Sequence, residues 1–294
     1  MQLTTAKIIT NRDIAPDIFS MTIYAPEVAA TAKAGQFAMI YLDSGELLLP
    51  RPISICDAGA HHLTFVYQVV GKGTGAMAKM PAGGAVKLLA PLGKGFFTLP
   101  KSALHETRAQ AHFNPCESTA RSPLKNVALI GGGIGAPPLL LLAKTLKNQG
   151  ANVDVYLGFR TNPILIDEFE SVADHLYIAT EDGSVGHKGN ILEVLHKNAS
   201  ITPHSLVGAA TCRPHQQQND KPYDEFLSCG PRPMLDALAR YAHSQNTPCQ
   251  LSMEERMACG LGTCVGCVLE VAGAYQKICT EGPVFYSDSI DCNH

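Results

Sequence analysis

The 294-residue chain has no tryptophan, no apolar run long enough to cross a membrane, no marked excess of either charge and no internal repeat. Each absence removes a class of function. Lys and Arg number 23 against 26 Asp and Glu, so the basic face that nucleic-acid binders present is missing. The 11 histidines would add positive charge only below about pH 6.5. The longest apolar stretches, such as PPLLLLAKTL, are broken by charge or proline well short of about 18 residues, and no membrane span is expected. The opening MQLTTAKIIT lacks the basic and apolar regions of a secretory signal, so a cytoplasmic chain with reduced thiols is expected. Its 10 cysteines then need a use other than disulfides.

What is present is enough apolar residue, 46%, for two domains and a small extra module. Residues 1–100 carry short alternating runs (AKIITNRDIAPDIFSMTIYAP, GQFAMIYL, RPISICDA, HLTFVYQVV, GAVKLLAPLG) separated by Gly and Pro, the pattern of a small antiparallel barrel. A hairpin break is expected around Asn11–Asp13 and Pro16. Residues 101–123 read as a linker with an insertion. Over residues 124–248 strand and helix patterns alternate: NVALIGGG, PPLLLLAKTL, NVDVYLGFR, PILIDEFESVA, HLYIAT, NILEVLHKN, DEFLSCG and RPMLDALARYAHSQ. That alternation predicts a doubly wound parallel sheet. The polar stretch 211–222 reads as a surface loop, and residues 249–294 as a separate cysteine-rich module.

Four short motifs carry chemistry. Cys259, Cys264 and Cys267 are spaced C-x4-C-x2-C, and Cys279 follows after eleven residues. Structural zinc sites more usually show two C-x2-C knuckles, whereas the x4/x2 spacing with a distal fourth cysteine is that of a plant-type [2Fe–2S] site. Gly260, Gly262 and Gly266 would let the loop wrap its amides around such a cluster. The second motif is Arg51-Pro52-Ile53-Ser54, where the arginine fork can clamp a phosphate and Ser54, expected on the same side of the strand, could reach a ring nitrogen. Taken alone it reads first as a structural strand. Its companion is YQVVGKGTGAMA, which offers Gly73, Thr74 and their amides to a pyrophosphate at a helix start, and the pair suggests a flavin nucleotide site.

The third motif, GGGIGAPP, satisfies G-x-G-x-x-A through Gly131, Gly133 and Ala136, with Gly132 and Gly135 between and Pro137 and Pro138 suited to a first helical turn. The acidic residue expected at the end of the next strand is replaced by Gly158-Phe159-Arg160, so this is a phosphate-cradling turn without the full Rossmann fingerprint. The fourth is SCGP, where Cys229 and Gly230 end a strand at the sheet edge that binds ligands. A buried thiol of purely structural use is the competing reading for Cys229.

In this order the motifs resemble the ferredoxin–NADP+ reductase superfamily. The tail, LSMEERMACGLGTCVGCVLEV with YQKICTEGPVF, is similar to the electron-transfer subunits of class 1B dihydroorotate dehydrogenases, and the resemblance spans nearly the whole chain apart from the two polar insertions. It implies FAD on the barrel, NAD on the α/β domain and [2Fe–2S] on the tail. Arg51, Pro52, Ile53, Ser54, Val66, Tyr67 and Gln68 would hold the flavin, with Gly73 and Thr74 at its phosphates. Family members usually have Arg at the position of Gln68, so one charge toward the FAD phosphates is missing. Gly131, Gly132, Gly133, Gly135 and Gly230 would serve the dinucleotide, Cys229 would be catalytic, and Cys259, Cys264, Cys267 and Cys279 would ligate the cluster. The implied partner is an FMN-containing catalytic subunit, in a heterotetramer with two of each chain. A reductase subunit of a ferredoxin oxidoreductase or hydrogenase is the nearest alternative.

Overall fold

The computed structural model describes residues 1–42, 47–97, 124–200 and 223–290, without the side chains of 199 and 200. The expected linker at 101–123 and loop at 211–222 lie outside the described residues. The first half is a closed barrel of β1 (Gln2–Ala15), β2 (Ile18–Tyr24), β3 (Phe37–Tyr41), β4 (Arg51–Ala58), β5 (His62–Gln68) and β6 (Ala85–Leu92), in the order β1-β2-β5-β4-β3-β6. Two short helices, α1 (Pro26–Ala29) and α2 (Lys72–Ala78), close its ends.

Alternation fills the barrel in β1 and β2, where Ala6 and Ile8, and Met21 and Ile23, are buried between less buried neighbours, and Leu63, Phe65, Val86 and Leu88 add to the same core. Strand β3 departs from that rule. Its Phe37, Ala38, Met39 and Ile40 are all buried, because its outer face is covered by the cysteine-rich tail. Of the two breaks expected between β1 and β2, only that at Pro16 is a turn. Pairing runs unbroken through Asn11, Arg12 and Asp13, and the chain turns at Pro16–Asp17, with Asp17 at φ 58°. Asn11 instead donates to the carbonyls of Met77 and Met80, fixing α2 to the barrel wall.

The second half contains β7 (Asn126–Gly132), α3 (Pro138–Asn148), β8 (Asn152–Phe159), α4 (Ile166–Glu170), β9 (His175–Thr180), β10 (His187–Lys188), α5 (Ile191–Ser200), β11 (Glu225–Cys229), α6 (Arg232–Ser244) and β12 (Cys249–Ser252). After the cysteine loop come β13 (Val268–Val271), β14 (Ala274–Lys277), α7 (Ile278–Glu281) and β15 (Val284–Tyr286). The sheet order is β10-β9-β8-β7-β11-β12-β15, parallel throughout except for β15. Strand order reverses between β7 and β11, and such a switch point opens a crevice at the carboxyl ends of the strands. Because β12 and β15 both join the sheet, the cysteine loop is inserted between two sheet strands rather than appended after the last one.

Three contacts lock the halves together. Lys144 of α3 pairs with Asp57 of β4 at 2.6 Å. The Gln250 side chain both accepts from and donates to the Phe97 backbone, at 2.9 and 3.0 Å. The Lys94 amide donates to the Gly282 carbonyl at 2.7 Å, tying the loop after β6 to the segment after α7.

Candidate functional site

On the barrel, Arg51 begins β4 and donates through Nη1 to the Leu49 carbonyl at 2.5 Å. Its guanidinium lies so close to the start of α2 that a Cβ on Gly73 would stand 1.8 Å from Nε. The amides of Lys72, Gly73 and Thr74 belong to the first helical turn and have no carbonyl four residues back within the helix. A guanidinium over a helix start concentrates positive charge and donors, which is what a phosphate group requires.

The ladder corrects one expectation. Ile40 faces Arg51 and Phe37 faces Ser54 without a break, so these residues, three apart, project to opposite sides of β4. Arg51 shares its side with Ile53, and Ser54 with Pro52. Val66 is buried and Gln68 is exposed at the end of β5. The Tyr67 ring packs inside against Phe19, and its hydroxyl donates to Asn11 at 2.9 Å. Burial pushes the Tyr67 phenol up to about 12, against the opposing effect of the Asn11 bond. The Thr74 hydroxyl accepts from the Val70 amide at 3.0 Å and donates to the Gly71 carbonyl at 3.4 Å. Both side chains therefore build the scaffold, leaving their backbones to face a ligand.

At the switch point, Gly131 and Gly132 end β7, and Gly133–Gly135 make one tight turn before Pro137 and Pro138 open α3. Cys229 of β11 stands in register with Gly131. The two strand ends approach so closely that a Cβ on Gly135 would meet the Cys229 oxygen and the Gly230 Cα, each at 2.5 Å. A Cβ on Gly230 would meet Met234, and one on Gly132 both Met234 and Pro231. Gly133 differs: it has φ +53°, and a Cβ there would meet nothing within 4 Å, so it borders the open side of the turn. The Cys229 thiol is 1% exposed and pushed up to about 12, chiefly by burial, with Glu254 adding and Ser252 opposing. It is a neutral thiol at the sheet edge. The Glu254 carboxyl is also raised, by partial desolvation, although the residue as a whole is exposed. Nothing in the sequence sets Glu254 near Cys229; the two meet because β12 pairs with β11, Ser252 facing Cys229.

In the tail the four thiols form two pairs. Cys264 Sγ lies 3.3 Å from Cys259 Sγ, and the free thiols of Cys267 and Cys279 share a hydrogen bond. Among the described residues no third His, Cys, Asp or Glu completes a three-ligand group around either pair. Two thiolate pairs are the donor set of a [2Fe–2S] core, which carries two protein ligands on each iron, whereas one zinc ion needs all four at one point. The pairs differ in surroundings. Cys259 accepts from the Thr263 hydroxyl and from the Cys264 and Leu261 amides, which hold its thiol down at about 5. Cys279 is pushed up to about 11, first by burial and then by Cys267.

Gly260 and Gly262 adopt φ +68° and +76°. A Cβ on Gly260 would stand 2.5 Å from Met39 Cγ, so the loop rests directly on β3. Met39 in turn faces Pro52 of β4. The strand expected to hold flavin is thus one strand away from the cysteine loop, about 4.8 Å in the hydrogen-bonding direction. Met39 could not be singled out beforehand, since a buried methionine in a barrel strand has no distinguishing pattern.

A family model described as the iron–sulfur cluster binding domain of dihydroorotate dehydrogenase B matches residues 254–291. The electron transfer subunit of dihydroorotate dehydrogenase B (NAD(+)) from Clostridium acetobutylicum is 33% identical over 292 residues, covering 99% of this chain and 98% of that one. A solved NADH-dependent reduced ferredoxin-NADP oxidoreductase superposes with a TM-score of 0.76 at 26% identity, over 98% of this chain and 90% of the other. A ferredoxin NADP+ reductase from Neisseria gonorrhoeae shares the fold, with a TM-score of 0.58 at 18% identity, over 83% of this chain and 92% of that one.

Proposed function

Because the chain belongs to the family of electron-transfer subunits of dihydroorotate dehydrogenase B, we infer that it carries electrons from a dihydroorotate-oxidising catalytic subunit to NAD+, a step of pyrimidine biosynthesis. Adjacency is the observation that supports this reading most directly. Two thiol pairs sit on a loop that rests on β3, β3 pairs with β4, and β4 is tied by Asp57 to the helix that follows the glycine turn.

Arg51 and the amides at the start of α2 would hold the FAD diphosphate, and the remaining RPIS residues with the backbone of Val66, Tyr67 and Gln68 would line the ring system. Gln68 brings no charge to that site. Gly131–Gly135 and Gly230 would admit the NAD diphosphate by keeping side chains out of the turn. Cys229 would stand at the reacting end as a neutral thiol that limits water there. Cys259 with Cys264, and Cys267 with Cys279, would each hold one iron. When bound, flavin supplies the conversion between the paired electrons of a hydride and the single electrons of an iron–sulfur centre.

The balance is closed. Dihydroorotate gives up two electrons and two protons to become orotate; NAD+ takes both electrons with one proton, and the second proton is released to water. The partner is a dihydroorotate dehydrogenase catalytic subunit; that it carries FMN, and that two of each chain assemble, belong to the proposal. Leu261 and Val265, 43% and 78% exposed on the cysteine loop, give that partner an apolar rim to cover. No helix among the described residues is long and apolar enough to cross a membrane.

Co-purification with the catalytic chain tests the reading. Orotate formation coupled to NAD+ reduction is expected from the mixture and from neither chain alone. The likeness to a ferredoxin-NADP oxidoreductase favours one rival. Reduction of ferredoxin by NADPH, without any dihydroorotate-dependent activity, would replace the preferred reading by that one.

A further inference from the structure

One residue lies next to every segment that bears a cluster ligand. Lys277 ends β14, directly opposite Val268, the residue after Cys267. It lies two residues before Cys279, at the start of α7. Its ammonium donates to the Gly262 carbonyl at 2.5 Å, in the middle of the turn between Cys259 and Cys264. Its own backbone amide donates to Glu281 Oε2 at 2.6 Å, which fixes where the side chain begins. Gly262 is a position that favours glycine. It has φ +76°, and a Cβ there would already press on Thr280 at 2.9 Å.

Lys277 is half-buried and takes part in none of the ion pairs among the described residues. A lysine on a surface hairpin ordinarily extends into water. This one bends back over the cysteine loop and spends its charge on a peptide carbonyl.

We propose that Lys277 is a positioning residue that sets the reduction potential of the cluster, by closing the ligand loop and by holding a fixed positive charge beside it. This rests on the iron–sulfur reading above. The direction follows from electrostatics: reduction adds one negative charge, and a nearby cation of constant charge stabilises the reduced form more than the oxidised one. Hydrogen bonding to Gly262 also polarises the peptide that carries the Thr263 amide, in the turn where amides converge on sulfur.

The test is a redox titration of the complex with its catalytic partner, following the cluster by electron paramagnetic resonance, with iron and sulfide assayed on the same samples. Two irons and two sulfides per chain in the unmodified complex are expected, and a different content would sink the iron–sulfur reading itself. Lys277→Gln keeps a donor for Gly262 and removes the charge. It is expected to retain the cluster while the equilibrium constant for its reduction falls about tenfold, a shift of about 59 mV to more negative potential for one electron. Lys277→Arg is expected to restore the original potential. An unmoved potential in a fully loaded Lys277→Gln complex would overturn the proposal. So would loss of iron from Lys277→Gln, which would make Lys277 a folding residue instead.

Discussion

The glycine turn after β7 and the cysteine loop after β12 are both rich in glycine, yet they are built by opposite means. In the turn, glycine is required because two strands and a helix already occupy the space: a Cβ on Gly135 would strike the Cys229 and Gly230 backbone. In the loop, glycine is required by the backbone itself, with Gly260 and Gly262 both at positive φ. The turn is held by a sheet that exists without any ligand. The loop has little regular structure between Ser252 and Val268, and its order depends on the seat on Met39, on Lys277 and on whatever the thiols bind. A scaffolded site should tolerate loss of its ligand, whereas a ligand-organised site should not.

The largest expected effect breaks the comparison at the loop. Cys264→Ser should lose the cluster and lower dihydroorotate-dependent NAD+ reduction by about 100-fold or more, given that even outer-shell changes cost 10–100-fold. NADH oxidation by an artificial acceptor should persist, because β4, α2 and the turn are untouched. Loss of both activities together would mean that the loop organises the rest of the molecule.

Gly135→Ala makes the converse cut. The added methyl group meets the Cys229 and Gly230 backbone, which should destabilise the dinucleotide half by about 1–3 kcal/mol, the usual range for overpacking. NADH oxidation should fall while iron content stays at two per chain; thermal unfolding and an iron assay on one sample check both.

The smallest effect concerns protons. Cys229 is held near 12, above its ordinary value, so the folded chain keeps a proton that the unfolded chain releases at about pH 8.5. Its contribution to stability is therefore complete below about pH 8.5 and declines as pH climbs toward 12. Tyr67 and Tyr156, both pushed up to about 12 by burial, act in the same sense from about pH 10 upward. NADH oxidation should then show no thiol ionisation between about pH 6 and about pH 8.5, and the unfolding temperature should drop only above that range. An inflection near pH 7 that disappears in Cys229→Ser would show the thiol to be ionisable and exposed.

Much of this was legible in the residues. Alternation gave the barrel strands, and the strand–glycine–helix succession gave β7, α3 and the sheet, because both patterns repeat over many positions. What could not be read depends on contacts distant in the chain. The β1–β2 turn falls at Pro16–Asp17 because pairing with β2 continues through the polar Asn11–Asp13 run, which looked like a break. The helix expected across PILIDEFESVA is only Ile166–Glu170, since Leu165 is left-handed at φ 59° and stops it from starting earlier. The four-residue strand Cys249–Ser252 is too short to show a period, and so its place in the sheet was hidden. At the site, residue types were easier to name than their duties. Arg51 lies over the start of α2 and Cys259 stands next to Cys264, whereas Tyr67 and Thr74 are bonded into the scaffold, and Ser54 projects away from Arg51 by simple parity.

Strand β4 has a consequence for how this chain can change. One end starts at Arg51 over α2, the next residue, Pro52, lies beside the β3 residue on which the cysteine loop rests, and Asp57 near the other end grips α3. A slip of one residue in the β3–β4 pairing would exchange the two faces of the strand along its whole length. All three sites would then fail in a single event, while a change at the β9–β10 edge of the sheet would touch one at most. Inherited variation should therefore be sparse along these eight residues and freer at that far edge. Suppressors of a β4 lesion should arise in β3 or α3, where its neighbours lie, rather than in the partner subunit.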